Sequence, residues 1–149
     1  MLENITKDTI VLNQVANDWQ EAIKVAAMPL VDAGYIKSEY ITDIIENVNM
    51  SGPYIVIAPH VAIPHAQSNG NVLKSVIGIC TLQQPVKFNN EANDPVKYLF
   101  VLAAVDNQDH LQSLSELAVL LEDDDFYRIL DVANTPLDIL NFLNKWKEG

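Results

Sequence analysis

Val96-Lys97-Tyr98-Leu99-Phe100-Val101-Leu102-Ala103-Ala104-Val105 is the stretch whose reading decides the fold. It is a dense apolar run closed off by Asp94-Pro95 before it and Asp106-Asn107 after it. It is strand-length, rich in β-branched and aromatic residues, and bounded by turn formers, so it reads as a strand buried on both faces. Tyr54 to Ala58 and Val76 to Leu82 have the same texture and the same kind of borders. Ile10-Val11-Leu12 adds a candidate fourth strand.

The period changes on either side of these runs. Asp18 stands where it would cap a helix, with Glu21 at the capping-box position and Trp19, Ile23, Ala26, Ala27, Leu30 and Val31 at helical spacing. Gly34 sits where that helix should stop, and Pro29 predicts a kink or an early end. Ser38 is the expected cap of a second helix carrying Ile41, Ile44, Ile45 and Val48. Past Val105, Asp109 is the expected cap of a helix with Leu111, Leu114, Leu117, Ala118 and Leu121. Another helix starts within Asp123–Asp125 and carries Phe126, Ile129 and Leu130. Thr135-Pro136 opens a last one through Leu137, Leu140, Phe142 and Leu143 to Trp146. Doubly buried strands with helices before and after them need covering on both faces. The expected fold is a three-layer α/β/α sandwich.

Composition narrows the function classes. The chain has 149 residues, 49% hydrophobic and 19% charged, a globular balance at the length of one domain, 1–149. No apolar run reaches the ~20 residues of a membrane span, and the N-terminus lacks the pattern of a signal peptide, so a cytoplasmic protein without direct membrane insertion is expected. The net charge of −11 argues against nucleic acid, whose phosphates need a basic face. Cys80, the single cysteine, reads as a buried strand residue.

Three histidines, His60, His65 and His110, carry the candidate chemistry. His60 and His65 lie in Ala58-Pro59-His60-Val61-Ala62-Ile63-Pro64-His65-Ala66, each following a proline that fixes its own φ. A histidine held at a strand end sits where α/β proteins place their sites. Neutral imidazole is a nucleophile near physiological pH, and its phosphoryl adduct keeps a good leaving group. His110 follows Asp106-Asn107-Gln108-Asp109 at an expected helix start, where free N–H groups suit an oxyanion. Taken singly, His65 fits a structural loop role and His110 an ordinary helix position. A metal site from His60, His65 and aspartates is a weaker alternative, since the His-x4-His spacing crosses prolines.

Ile57 to Ala66, ending Ile63-Pro64-His65-Ala66, resembles the phosphorylation-site segment of the mannitol/fructose-type enzyme IIA superfamily of the sugar phosphotransferase system (PTS). The resemblance continues through Gly78 to Leu82, Gln84-Pro85-Val86-Lys87-Phe88, Asn93-Asp94-Pro95-Val96, Ala103-Ala104-Val105-Asp106 and His110-Leu111 to Leu121. It also takes in Trp19 to Ile23 and Gly34-Tyr35-Ile36, so it spans nearly the whole chain. Within the superfamily it looks closest to the ascorbate-type branch. It implies a mixed sheet between helices and no cofactor. It makes His65 the phosphoryl-accepting nucleophile and His110 the partner that steadies the group. It implies HPr as donor, an enzyme IIB as acceptor, a membrane IIC beyond that, and it leaves a homo-oligomer open. The same fold used as a phosphorylation-sensing regulatory module is the alternative. Two departures stand out: His60 replaces a small glycine-like residue, and Ala66-Gln67-Ser68-Asn69-Gly70 lacks the basic residue often found after the active histidine.

Overall fold

A computed structural model describes residues 2–148, Glu148 by its backbone alone. After two short 3-10 turns, the chain runs β1 (Ile10–Gln14), α1 (Trp19–Asp32), α2 (Ser38–Ser51), β2 (Val56–Ala58), β3 (Val61–Ala62) and β4 (Val76–Val86). It continues through β5 (Val96–Ala103), α3 (Asn107–Leu120), α4 (Asp124–Val132) and α5 (Pro136–Glu148). The strands form one sheet in the order β1-β4-β5-β3-β2. β1 runs parallel to β4 and β3 parallel to β5, while β4–β5 and β2–β3 are antiparallel, so the sheet is mixed.

β5 shows why the opening stretch is decisive. Leu99, Val101 and Ala103 point to one face, with Ala22, Ile23, Ala26, Leu30, Ile41 and Ile44 of α1 and α2. Tyr98, Phe100 and Leu102 point to the other, with Leu117, Leu120, Phe126, Leu130, Ile139 and Leu143 of α3, α4 and α5. β4 splits the same way, and its register sets Ile79 beside Phe100 and Ile77 beside Leu102. A period of two on doubly covered strands yields three layers. Each fully buried Phe, Leu or Ile contributes ~1.5–3 kcal/mol, so the two inner faces carry most of the driving force. Gly78 brings α1 close, since a Cβ there would lie 3.2 Å from the Leu30 methyl carbons.

Several boundaries differ from the sequence expectation. The strand expected from Tyr54 starts at Val56, and a second strand, β3, pairs back onto it through a turn at Pro59-His60. α1 continues past Pro29 to Asp32: the proline forfeits only the bond its own nitrogen would make, and its carbonyl still accepts from Ala33 N–H at 3.0 Å. Gly34, at φ 84°, then lets Tyr35 N–H return to the Leu30 carbonyl at 2.9 Å. Lys37, not Ser38, occupies the N-cap position of α2, and the Ser38 hydroxyl donates to Glu39 instead. Asp106, not Asp109, caps α3. Asp18 and the Asp123–Asp125 junction behave as the sequence indicates: Asp18 accepts from Glu21 N–H at 2.8 Å and Asp123 from Asp125 N–H at 2.9 Å. Cys80 is fully buried, and burial raises its thiol to a pKa of about 12, which keeps it protonated. Among the described residues no helix is long and apolar enough to cross a membrane.

Candidate active site

The segment leaving β3 is held on three sides. Ile63 N–H donates to the Ile55 carbonyl at 2.8 Å, and Leu102 N–H donates to the Pro64 carbonyl at 3.0 Å. Between them reaches Tyr40 from α2, whose side chain is 1% exposed. Its hydroxyl accepts from Ala66 N–H at 3.0 Å, and its one proton is shared between the carbonyls of Leu102 (2.9 Å) and Ala66 (3.1 Å). Residues 63, 64 and 66 are thus each tied to a different part of the chain, and His65 rides between them.

The His65 ring has a defined proton. Its Nδ1 lies 2.7 Å from the Ile63 carbonyl, and a carbonyl can only accept. Nδ1 therefore carries the hydrogen and donates it, which leaves Nε2 with an in-plane lone pair. The Tyr54 ring meets the imidazole edge-on, centroids 5.7 Å apart at 87°, and His110 lies 5.5 Å away at 49°.

His110 reaches this position through a second brace. The Asp106 side chain accepts from Asp109 N–H at 2.8 Å, and its carbonyl accepts from His110 N–H at 3.1 Å. The Asp109 carboxylate accepts the Ser75 hydroxyl proton at 2.6 Å, and Ser75 Oγ accepts from Val105 N–H at 3.0 Å. The start of α3 is thereby fastened to the start of β4. The His110 N–H is spent on the Asp106 carbonyl, so His110 brings its ring alone. Partial burial, and then the neighbouring His65, hold the His110 pKa below the ordinary imidazole value. At neutral pH its ring is uncharged and has one donor and one acceptor nitrogen.

The two rings share a cleft of about 350 Å3, bordered also by Asn47, Tyr54, Ser68 and Asp106. A wider groove of about 610 Å3 against α4 and α5, bordered by Ile129, Val132 and Phe142, contains no histidine. Chemistry, not size, singles out the first.

The two histidines thus meet at the ends of β3 and β5, with His110 fixed to the far edge by α3. Residues 3–146 match the family described as phosphoenolpyruvate-dependent sugar phosphotransferase system, EIIA 2. The chain belongs to that family. An ascorbate-specific PTS system EIIA component of Salmonella choleraesuis (strain SC-B67) is 35% identical over 139 residues, covering 93% of this chain and 90% of that protein. CmtB of Escherichia coli, a mannitol-specific cryptic phosphotransferase enzyme IIA, has a solution structure matching this EIIA chain with a TM-score of 0.83. The two are 30% identical, over 96% of this chain and 97% of that one. The enzyme IIAMtl of E. coli, solved in complex with phosphorylated IIBMtl, shares the fold at a TM-score of 0.82 and 24% identity, covering 95% and 97%.

His60 does not join the cleft. It occupies the β2–β3 turn at φ 70°, its Nδ1 2.7 Å from the Pro95 carbonyl and its N–H donating to the Asn93 carbonyl at 2.9 Å. A positive φ is where glycine costs least, which gives a physical reason for the glycine-like residue expected here. Sequence reasoning missed Tyr54, Asn47, Tyr40 and the Ser75–Asp109 brace in this EIIA. Tyr54 was read as a strand residue; the others carry no local motif.

Proposed function

We propose that this EIIA protein is a cytoplasmic phosphotransferase component that accepts a phosphoryl group on His65 Nε2 from phospho-HPr and delivers it to a cysteine of its enzyme IIB. A membrane IIC would then couple that phosphate to uptake of ascorbate or a related sugar. The observation that carries this reading is that His65 meets His110 in an open cleft, with its Nδ1–H held on the Ile63 carbonyl and its Nε2 lone pair left free.

The chemistry balances without a proton change on His65. The Nε2 lone pair attacks the phosphorus of the donor phosphohistidine. The new N–P bond forms as the donor N–P bond breaks, and the donor imidazole leaves with its electron pair. Throughout, Nδ1–H stays on the Ile63 carbonyl. In the second step a thiolate attacks the same phosphorus and His65 leaves as the neutral ring it was at the start. His110, uncharged at rest, can donate one N–H to a phosphoryl oxygen as charge builds there. Such transfer asks chiefly for positioning and charge stabilisation. The net charge of −11 favours encounter with a basic donor face. Ascorbate as the substrate class rests on the Salmonella relative and on the branch that the Asn93–Val96 and Ala103–Asp106 segments resemble.

Incubation with phosphoenolpyruvate, enzyme I and HPr should add one acid-labile phosphate per chain, and His65→Ala should take up none. Equal labelling of that variant would remove His65 from the role.

A further inference from the structure

Among the described residues no lysine or arginine borders the cleft that contains His65 and His110, and Asp106 does border it. A phosphoryl group carried there needs hydrogen-bond donors that are not cations. We propose that Asn47 is a phosphoryl-binding residue of this site, its side-chain amide donating to an oxygen of the group on His65. The inference rests on the reading of His65 as the phosphorylated residue and adds a second side chain to its grip.

Asn47 lies on α2 two turns beyond Tyr40, on the same stripe of the helix. Tyr40 bonds Ala66, the residue after His65, so this stripe faces the loop that carries the nucleophile. Asn47 borders both the cleft and an adjoining hollow of about 440 Å3 that runs along Ala66, Gln67 and Ser68. Its helix neighbours Ile44 and Val48 are buried in the core, while Asn47 itself is half-buried.

The amide has no other occupation. Among the described residues it makes no hydrogen bond to the protein, although nearby Asp43 accepts from both Asn69 and Asn71. Asparagine is a poor helix former, and a half-buried amide without a partner adds nothing to packing. The Ser68 hydroxyl, which borders the same cleft, already donates its proton to the Val105 carbonyl at 3.2 Å. An N–H aimed at a phosphoryl oxygen makes a charge-assisted bond, about twice as strong as a neutral one. His110 and Asn47 both border the cleft, so two uncharged donors are available to a group on His65. The group is oriented but not neutralised, which favours its onward transfer.

The test uses the full chain with phosphoenolpyruvate, enzyme I and HPr, and reads the rate of phosphate uptake and the 31P titration of the phosphorylated form. Asn47→Ala should slow uptake by about hundred- to thousandfold, the scale for one oxyanion donor. Asn47→Asp, which sets a second carboxylate beside the phosphoryl group, should be slower still. Both should shift the 31P titration. The unfolding midpoint of Asn47→Ala should hold or rise, since alanine is the better helix former. Parent-like uptake and an unchanged titration in both variants would overturn the proposal while leaving His65 in place. So would rates that fall only in step with lost stability, judged on Asn47→Ser if Asn47→Ala does not fold. A parent chain that takes no phosphate would overturn the His65 reading and this one together.

Discussion

His60 and His65 make a controlled comparison inside one short segment. Each follows a proline, and each ties its Nδ1 to a backbone carbonyl at 2.7 Å, His60 to Pro95 and His65 to Ile63. Both rings therefore present Nε2 as the free nitrogen, so the tautomer does not distinguish them. What differs is the surroundings. His60 is exposed on a hairpin turn, with Asn93 and Pro95 as its partners. His65 is half-buried, with Tyr54 on its edge and His110 across a cleft. A free Nε2 is cheap to arrange; a cleft shared with a second histidine, built at the meeting of α2, β3, β5 and α3, is the scarce part.

The comparison breaks most sharply if the wrong histidine is removed. His65→Ala should abolish phosphate uptake while His60→Ala leaves its rate near the parent's, measured with the same donor system. A large loss in His60→Ala would mean that the turn histidine takes part after all.

Next in size is the wall across the cleft. His110→Gln keeps a hydrogen-bonding side chain but loses the ring, and should slow uptake by about ten- to hundredfold with little change in stability. An unchanged rate would reduce the contrast between the two sites to burial alone.

The clamp behind His65 should register in stability. Tyr40→Phe leaves the buried Ala66 N–H without its partner, and should cost about 1–3 kcal/mol in urea unfolding. Uptake should slow as well, since Ala66 adjoins His65. A neutral result would mean that the carbonyl and amide ties of Ile63 and Pro64 suffice.

The smallest effect belongs to His60→Gly. It removes the positive-φ strain, which costs a non-glycine residue ~1 kcal/mol, and removes one exposed hydrogen bond of similar worth. Stability should move by less than about 1 kcal/mol. His60→Val, β-branched at the same φ, should lose clearly more.

The layered fold was legible because β4 and β5 are covered on both faces and the helices are not. Dense runs such as Val76 to Leu82 then contrast with the spaced apolar positions of α1 and α2. The sheet order was not legible, since β3 is only two residues long and its pairing to β5 joins residues far apart in sequence. The two site histidines were visible as Pro-His and as a histidine after a polar quartet. The cap was assigned to Asp109 because both aspartates of Asp106-Asn107-Gln108-Asp109 can cap a helix. Ser75, distant in sequence, engages the Asp109 carboxylate and leaves Asp106 to cap. Tyr40 was hidden for a similar reason. Helical periodicity reports that a residue is buried, and says nothing of a hydroxyl at its tip.

The central claim concerns a single nitrogen. Long-range 1H–15N and 31P correlation of the phosphorylated protein identifies both the histidine and the ring atom that bears phosphate. The account predicts His65 phosphorylated on Nε2, with Nδ1–H retained and protected by the Ile63 carbonyl. Phosphate on Nδ1, or on His60 or His110, would contradict it.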